Sequence, residues 1–140
     1  MIREFSAGGV CVRRMRGRDY VAAIRVKGGK VLALPKGNID PGETAADAAR
    51  REVREEAGVE GEVVEKLGDV KYWYVRRGGE RVFKIVSFFL LRYRSGSVEN
   101  HDHEVDAAEW VPLEDAPRLL EYKGEKEMAA AALTALAQPR

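Results

Sequence analysis

Apolar runs broken by glycines and charge clusters divide this chain into short extended segments on either side of one Ala/Arg/Glu-rich stretch. Phe5 to Arg14 and Tyr20 to Val26 read as strands, joined by a turn at Arg16-Gly17-Arg18-Asp19. Val31 to Leu34 is a short apolar strand that ends at Pro35 and delivers a Lys36-Gly37 loop. From Thr44 to Ala57 good helix formers dominate; Thr44-x-x-Asp47 is a capping start, and Gly58 stands where a C-cap glycine belongs. On that helix Ala46, Ala49, Val53 and Ala57 form the stripe expected to dock on a sheet. Ala45 and Ala48 share the azimuth of the glutamates one to two turns later, where small side chains leave room for a bound group. Val63 to Arg76 and Arg81 to Tyr93 flank Gly78-Gly79, a hairpin signal. Ala108 to Val111 gives one more strand and Leu113 to Leu120 a short helix. Glu125 to Ala137 gives a closing helix with Met128, Ala132, Leu133 and Leu136 on one side. Strands on both sides of a central helix predict an α/β fold, an α/β/α sandwich around a mixed sheet, with residues 1–140 as a single domain.

Composition narrows this picture without redirecting it. The chain has 140 residues, of which 45% are hydrophobic, enough for one core. A net charge of +1 sets up no field for indiscriminate nucleic-acid binding, so no stable nucleic-acid complex is expected. Cys11 is the single cysteine, which excludes an internal disulfide and reads as a buried small apolar residue. No signal peptide, polybasic run or long apolar span is visible, which favours the cytoplasm and no membrane partner.

The predicted central helix carries the chemistry. At ~100° per residue, Glu52, Glu55 and Glu56 fall within one arc of about 100°. The like-charge pair Glu52/Glu56 costs a few tenths of a kcal/mol even on an exposed helix. Such an acidic face is often only solvated charge, since Arg51 can pair with Glu55. Here the loop Asn38, Asp40, Pro41, Gly42 and the distant Glu43 argue for more. Carboxylate oxygens crowded on one side suit hard divalent cations, above all Mg²⁺, which also prefers phosphate oxygens.

The full spacing runs Gly37-x5-Glu43-x7-Arg51-Glu52-Val53-x-Glu55-Glu56-x-Gly58-Val59. It resembles the Nudix box at every position, a coincidence expected at roughly one start position in a billion or fewer at average residue usage. The resemblance implies the Nudix fold and a metal-dependent pyrophosphohydrolase, with Mg²⁺ as cofactor and Mn²⁺ as a possible substitute. By the same resemblance Gly37, Glu52, Glu55 and Glu56 are metal ligands, while Glu43 and Arg51 tie the loop to the helix and orient Glu52. The family often adds an acid about six positions before a tryptophan. Glu104 stands six before Trp110 and is the candidate extra ligand or base, in a loop that also carries His101 and His103. A His-x-His pair fits a transition metal or a solvated loop. Glu52, Glu55 and Glu104 remain equal candidates for the general base.

Substrate choice lies outside the box. Lys36, where many nucleotide-cleaning relatives have glycine, resembles the dinucleoside polyphosphate hydrolase branch, as does the stretch from Tyr72 to Leu90. On that resemblance Tyr74 and Tyr122 are base-stacking candidates, and Lys36 and Lys84 are phosphate-binding ones. Cross-strand packing explains Tyr72 and Tyr74 as readily. Arg25, Lys27, Arg76 and Arg81 line a phosphate channel or solubilise strand ends. The expected function is asymmetric hydrolysis of dinucleoside polyphosphates such as diadenosine tetraphosphate. The alternatives are a nucleoside triphosphate pyrophosphohydrolase, an enzyme of related diphosphates, or a non-enzymatic nucleotide sensor, which would have no use for the acid cluster. The expected partner is a small nucleotide substrate, bound by a monomer or homodimer.

Overall fold

In the first strand, Ser6 to Val12 are buried without a break, so both faces of that strand are covered. The computed structural model describes residues 1–139. Strand β1 (Ile2–Met15) pairs antiparallel with β2 (Arg18–Val26) and parallel with β6 (Arg81–Gly96), register Val10 to Leu90. Strand β5 (Val59–Val75) closes one edge against β6, and β3 (Val31–Ala33) the other edge against β2. Short β4 (Lys36–Asn38) pairs with β1, and β7 (Ala107–Pro112) with β2. Among the described residues this makes a mixed seven-stranded sheet.

Alternation along the strands sorts the core into two layers. Ala7, Cys11, Ala22 and Ile24 pack with Ala48, Ala49, Val53 and Ala57 of helix α1 (Ala45–Ala57). Val10, Val12, Val86, Phe88 and Leu90 pack on the other face with Ala116 of α2 (Ala116–Leu119) and Ala129 and Ala132 of α3 (Lys123–Ala137). The α/β class with helices on both faces of a mixed sheet is therefore as expected. Cys11 is fully buried, and burial pushes its thiol pKa up to about 12, so it packs and does not react.

Several expectations change in detail. The sheet takes β4 from residues expected to be loop, and β5 starts at Val59 rather than Val63, because three register shifts against β6 absorb its irregular polar start. Leu113 to Leu120 is one 3₁₀ turn followed by the short α2. Helix α3 begins at Lys123, and its buried stripe is Glu125, Ala129, Ala132 and Ala135, with Met128 and Leu133 partly buried and Leu136 exposed. At ~100° per residue Leu136 shares the azimuth of this stripe, but it stands in the last turn of the helix and is exposed there. On α1, Ala48 is fully buried in the core and leaves no room for a ligand. No helix among the described residues is long and apolar enough to cross a membrane.

Candidate active site

Helix α1 is closed at both ends as its sequence requires. The Thr44 hydroxyl accepts the Asp47 N–H at 3.1 Å, and Gly58, left-handed at φ 80°, donates its N–H to Arg54 O at 2.9 Å. Ahead of the helix, β4 is seated on β1, Ser6 donates its hydroxyl to Asn38 Oδ1 at 2.9 Å, and Ile39 donates its N–H to Phe5 O. The loop and the acidic helix are thus held to the same central strand.

Arg51 joins them. Its Nε and Nη2 donate to the two oxygens of Glu43 at 2.7 and 2.9 Å, and Nη2 also reaches Asn38 O at 2.9 Å. Its Nη1 donates to Glu52 at 2.8 Å and Glu55 at 3.3 Å. Glu43 also accepts the Asp40 N–H at 2.8 Å. The Arg51 guanidinium and that N–H hold the Glu43 pKa down at about 2, and the Glu43 and Glu52 carboxylates raise the pKa of Arg51. Arg51 thus links the Glu43 loop to the helix beside Glu52.

The remaining acids sit at three depths. The Glu52 side chain is 12% exposed and that of Glu55 44%. Burial is the largest cause raising the pKa of Glu52, opposed by Arg51. Glu56, half-buried, accepts the Lys36 backbone N–H at 3.0 Å; burial, aided by the charge of Glu52, pushes its pKa up to about 7. A methyl group on Gly37 would land inside the Glu52 carboxyl group, so any larger residue there would displace that carboxyl group.

Among the described residues no three His, Cys, Asp or Glu side chains already stand in a metal-ligating cluster. The donor chemistry nevertheless fits a hard divalent cation: hard carboxylate oxygens on one arc, two of them with raised pKa values from burial and like charge. The sign of this strain is testable. Glu56 has a folded pKa above its unfolded value of 4.5, so its contribution to stability is complete below about pH 4.5 and is lost as pH rises through about 7. Glu43 acts oppositely, but its window lies at lower pH, between 4.5 and about 2. In a chelating buffer the melting temperature should therefore fall between pH 5.5 and 8. Glu56→Gln should flatten that fall, and an equally steep fall in the variant would remove Glu56 as its source.

Glu104 is exposed, and its N–H donates to Asp102 Oδ1 at 3.0 Å. The acid that meets the site is Asp102. Its N–H donates to Glu55 O at 3.0 Å, and its charge adds to the upward shift of Glu56. Among the described residues His101 and His103 belong to no metal-ligating group. Asp102 and Glu104 share this loop, and of the two Asp102 is the one bonded to the α1 backbone.

A groove of about 760 Å³ opens beside this face, on the sheet side covered by α3. Lys36 and Tyr122 line it, as do Tyr72, Phe88, Met128 and Glu125. Tyr74 and Lys84 lie outside its lining. The Tyr74 hydroxyl donates to Glu4, and Lys84 stands in register between Glu4 and Tyr72. Arg25 pairs with Glu109, Arg76 with Glu4 and Glu80, and Arg81 stacks over Trp73, so these arginines serve the strand ends. Sequence reasoning missed Glu125. Its spacing to the buried Ala129 and Ala132, four and seven residues on, was the available signal.

The family model described as NUDIX domain matches residues 3–132. A Mycobacterium tuberculosis protein named as mutator protein MutT4 is 42% identical over 137 residues, 94% of this chain and 55% of that protein. The 8-oxo-(d)GTP phosphatase of Mycolicibacterium smegmatis is 33% identical over 96 residues, 69% of this chain and 28% of the relative. The chain thus spans about half or less of these two curated relatives. The crystal structure of a C. elegans Ap4A hydrolase superposes with a TM-score of 0.69 at 24% identity, over 98% of this chain and 100% of that one, a likeness of fold.

Proposed function

The chain belongs to the NUDIX domain family, and from that premise we propose that it is a metal-dependent pyrophosphohydrolase of nucleoside diphosphate-linked compounds. Lys36 carries the reading. Its backbone N–H meets Glu56 on the acid face, while its side chain lines the groove beside Tyr122. A substrate with its diphosphate on the acid face would therefore have its nucleoside in the groove.

Glu52, Glu55 and Glu56 would hold the cation, Mg²⁺ with Mn²⁺ as substitute, in a family that generally uses divalent metals. When bound, such an ion neutralises charge on the phosphate oxygens. Glu43 and Arg51 keep Glu52 in place. Glu55, the most exposed of the three, is the carboxylate best open to accept a proton from the attacking water.

The proposed substrate is a dinucleoside polyphosphate such as diadenosine tetraphosphate, cut by water into ATP and AMP. The groove supports it: Tyr72 and Tyr122 offer rings for stacking, and Lys71 and Lys123 add positive charge at its wall. A second reading, hydrolysis of nucleoside triphosphates, is favoured by the names of MutT4 and the 8-oxo-(d)GTP phosphatase. Product analysis on a panel of diadenosine tetraphosphate, normal triphosphates and 8-oxo-dGTP, with and without Mg²⁺, decides between them. The first reading requires ATP and AMP as products and the highest kcat/KM on the dinucleotide. No metal-dependent release from any of them defeats both readings.

Stacking predicts a further result. A stacked base is worth ~1–3 kcal/mol by alanine substitution. Tyr122→Ala should therefore raise KM for diadenosine tetraphosphate about tenfold or more and leave kcat nearly unchanged, because the ring acts far from the reacting phosphorus. Unaltered kinetics would make Tyr122 a surface residue and remove the main support for the dinucleoside assignment.

A further inference from the structure

Glu125 is a carboxylate in the first turn of α3, 3% exposed, on a stripe otherwise made of alanine. Carboxylates are almost never buried so deeply unless paired, and its partners are specific. One oxygen accepts the Leu34 N–H at 2.7 Å; the other meets Lys36 Nζ at 2.8 Å. Two residues after Leu34, the Lys36 N–H donates to Glu56, and the next residue, Gly37, lies against the Glu52 carboxyl group. Residues 34–37 are therefore gripped by α3 from one side and by the acidic face of α1 from the other.

We propose that Glu125 is a positioning residue, which holds the 34–37 segment through Lys36 and so sets Glu56 and Glu52 in the geometry that hydrolysis needs. The inference rests on the pyrophosphohydrolase reading above. It also changes the part given to Lys36. The ammonium group already faces a buried counter-charge, so its use is to lock the segment, and a substrate phosphate would have to compete with Glu125 for it. Both residues line the groove with Tyr122, so a nucleoside seated there touches the same pair that fixes the acid face.

The test compares wild type, Glu125→Gln, Lys36→Met and the double variant, on the best substrate of the panel at saturating Mg²⁺. Gln keeps an acceptor for Leu34 but loses the charge that holds Lys36. Glu125→Gln should lower kcat about tenfold with KM within about twofold, the mark of an interaction used in the transition state. Amide hydrogen exchange at Lys36 should quicken about tenfold in the same variant, as local opening becomes easier. The double variant should be no slower than the worse single one, because residues acting as a unit are not additive, and it also removes the unpaired charge left by either change alone. Unchanged kcat in Glu125→Gln, losses that multiply in the double variant, or a loss carried by KM would each overturn the proposal. A wild-type protein inactive on every nucleotide defeats the hydrolase reading instead. The exchange rate at Lys36 then decides by itself whether Glu125 fixes that amide, and an unchanged rate overturns the grip.

Discussion

Replacing Glu56 by Gln should lower turnover by about a hundredfold or more at saturating Mg²⁺, while the fold survives intact. Gln is the same size and keeps an oxygen for the Lys36 N–H, so the 3.0 Å bond to β4 is retained. What disappears is a charge that burial and Glu52 make costly to maintain, as its pKa of about 7 records. The metal-free variant should thus melt at or above the wild-type temperature, while its kcat collapses because the proposed cation loses a ligand. Steady-state kinetics and thermal melting in chelator measure the two halves separately. Near-normal turnover would sink the assignment of Glu56 to the metal.

Arg51→Met should cost about 2–4 kcal/mol in urea unfolding, because it leaves partly buried carboxylates without their donor. Five hydrogen bonds to Glu43, Glu52, Glu55 and Asn38 end at this one guanidinium. Lys cannot reproduce the fork on Glu43, so Arg51→Lys should recover only part of the loss. Turnover should fall in both variants, since the loop and Glu52 lose their common anchor. The size of the effect separates a clamp from an ordinary surface ion pair, which contributes about 0–1 kcal/mol. A midpoint unchanged in Arg51→Met would mean that the loop is held by β4 alone.

What the sequence disclosed here was mostly local. The helix from Thr44 to Gly58 and its acids are separated by a few residues, so helical spacing already places Glu52, Glu55 and Glu56 on one arc. The Glu43–Arg51 bridge spans eight residues and followed from the box. Contacts set by tertiary docking were harder to see. Asp102 gains its place through a bond to the α1 backbone, and β4 exists only because β1 offers it an edge. Tyr72 and Tyr74 lie on the same face of β5, so alternation cannot separate them. Register shifts at Glu60/Gly61, Val63/Glu65 and Lys66/Gly68 decide how far along the sheet each ring comes, and those are not countable from residue types. Glu125 was hidden in the charged first turns of its helix, where it stands among Lys123, Lys126 and Glu127 and reads as solvated.

The hydrogen bond from Leu34 to Glu125 also has a history within the life of each molecule. Its partners are 91 residues apart, and the donor is buried. During synthesis the whole motif from Gly37 to Val59 leaves the ribosome long before residue 125 exists. Until α3 arrives, the Leu34 N–H has no protein acceptor, and a buried amide in that condition resists final closure. Distant pairings form late because their loops must be closed first. The acidic helix should therefore wind early, yet the segment beneath it should lock only in the last step of folding. A nascent chain halted before α3 would carry every residue of the motif with Leu34 still waiting for its acceptor.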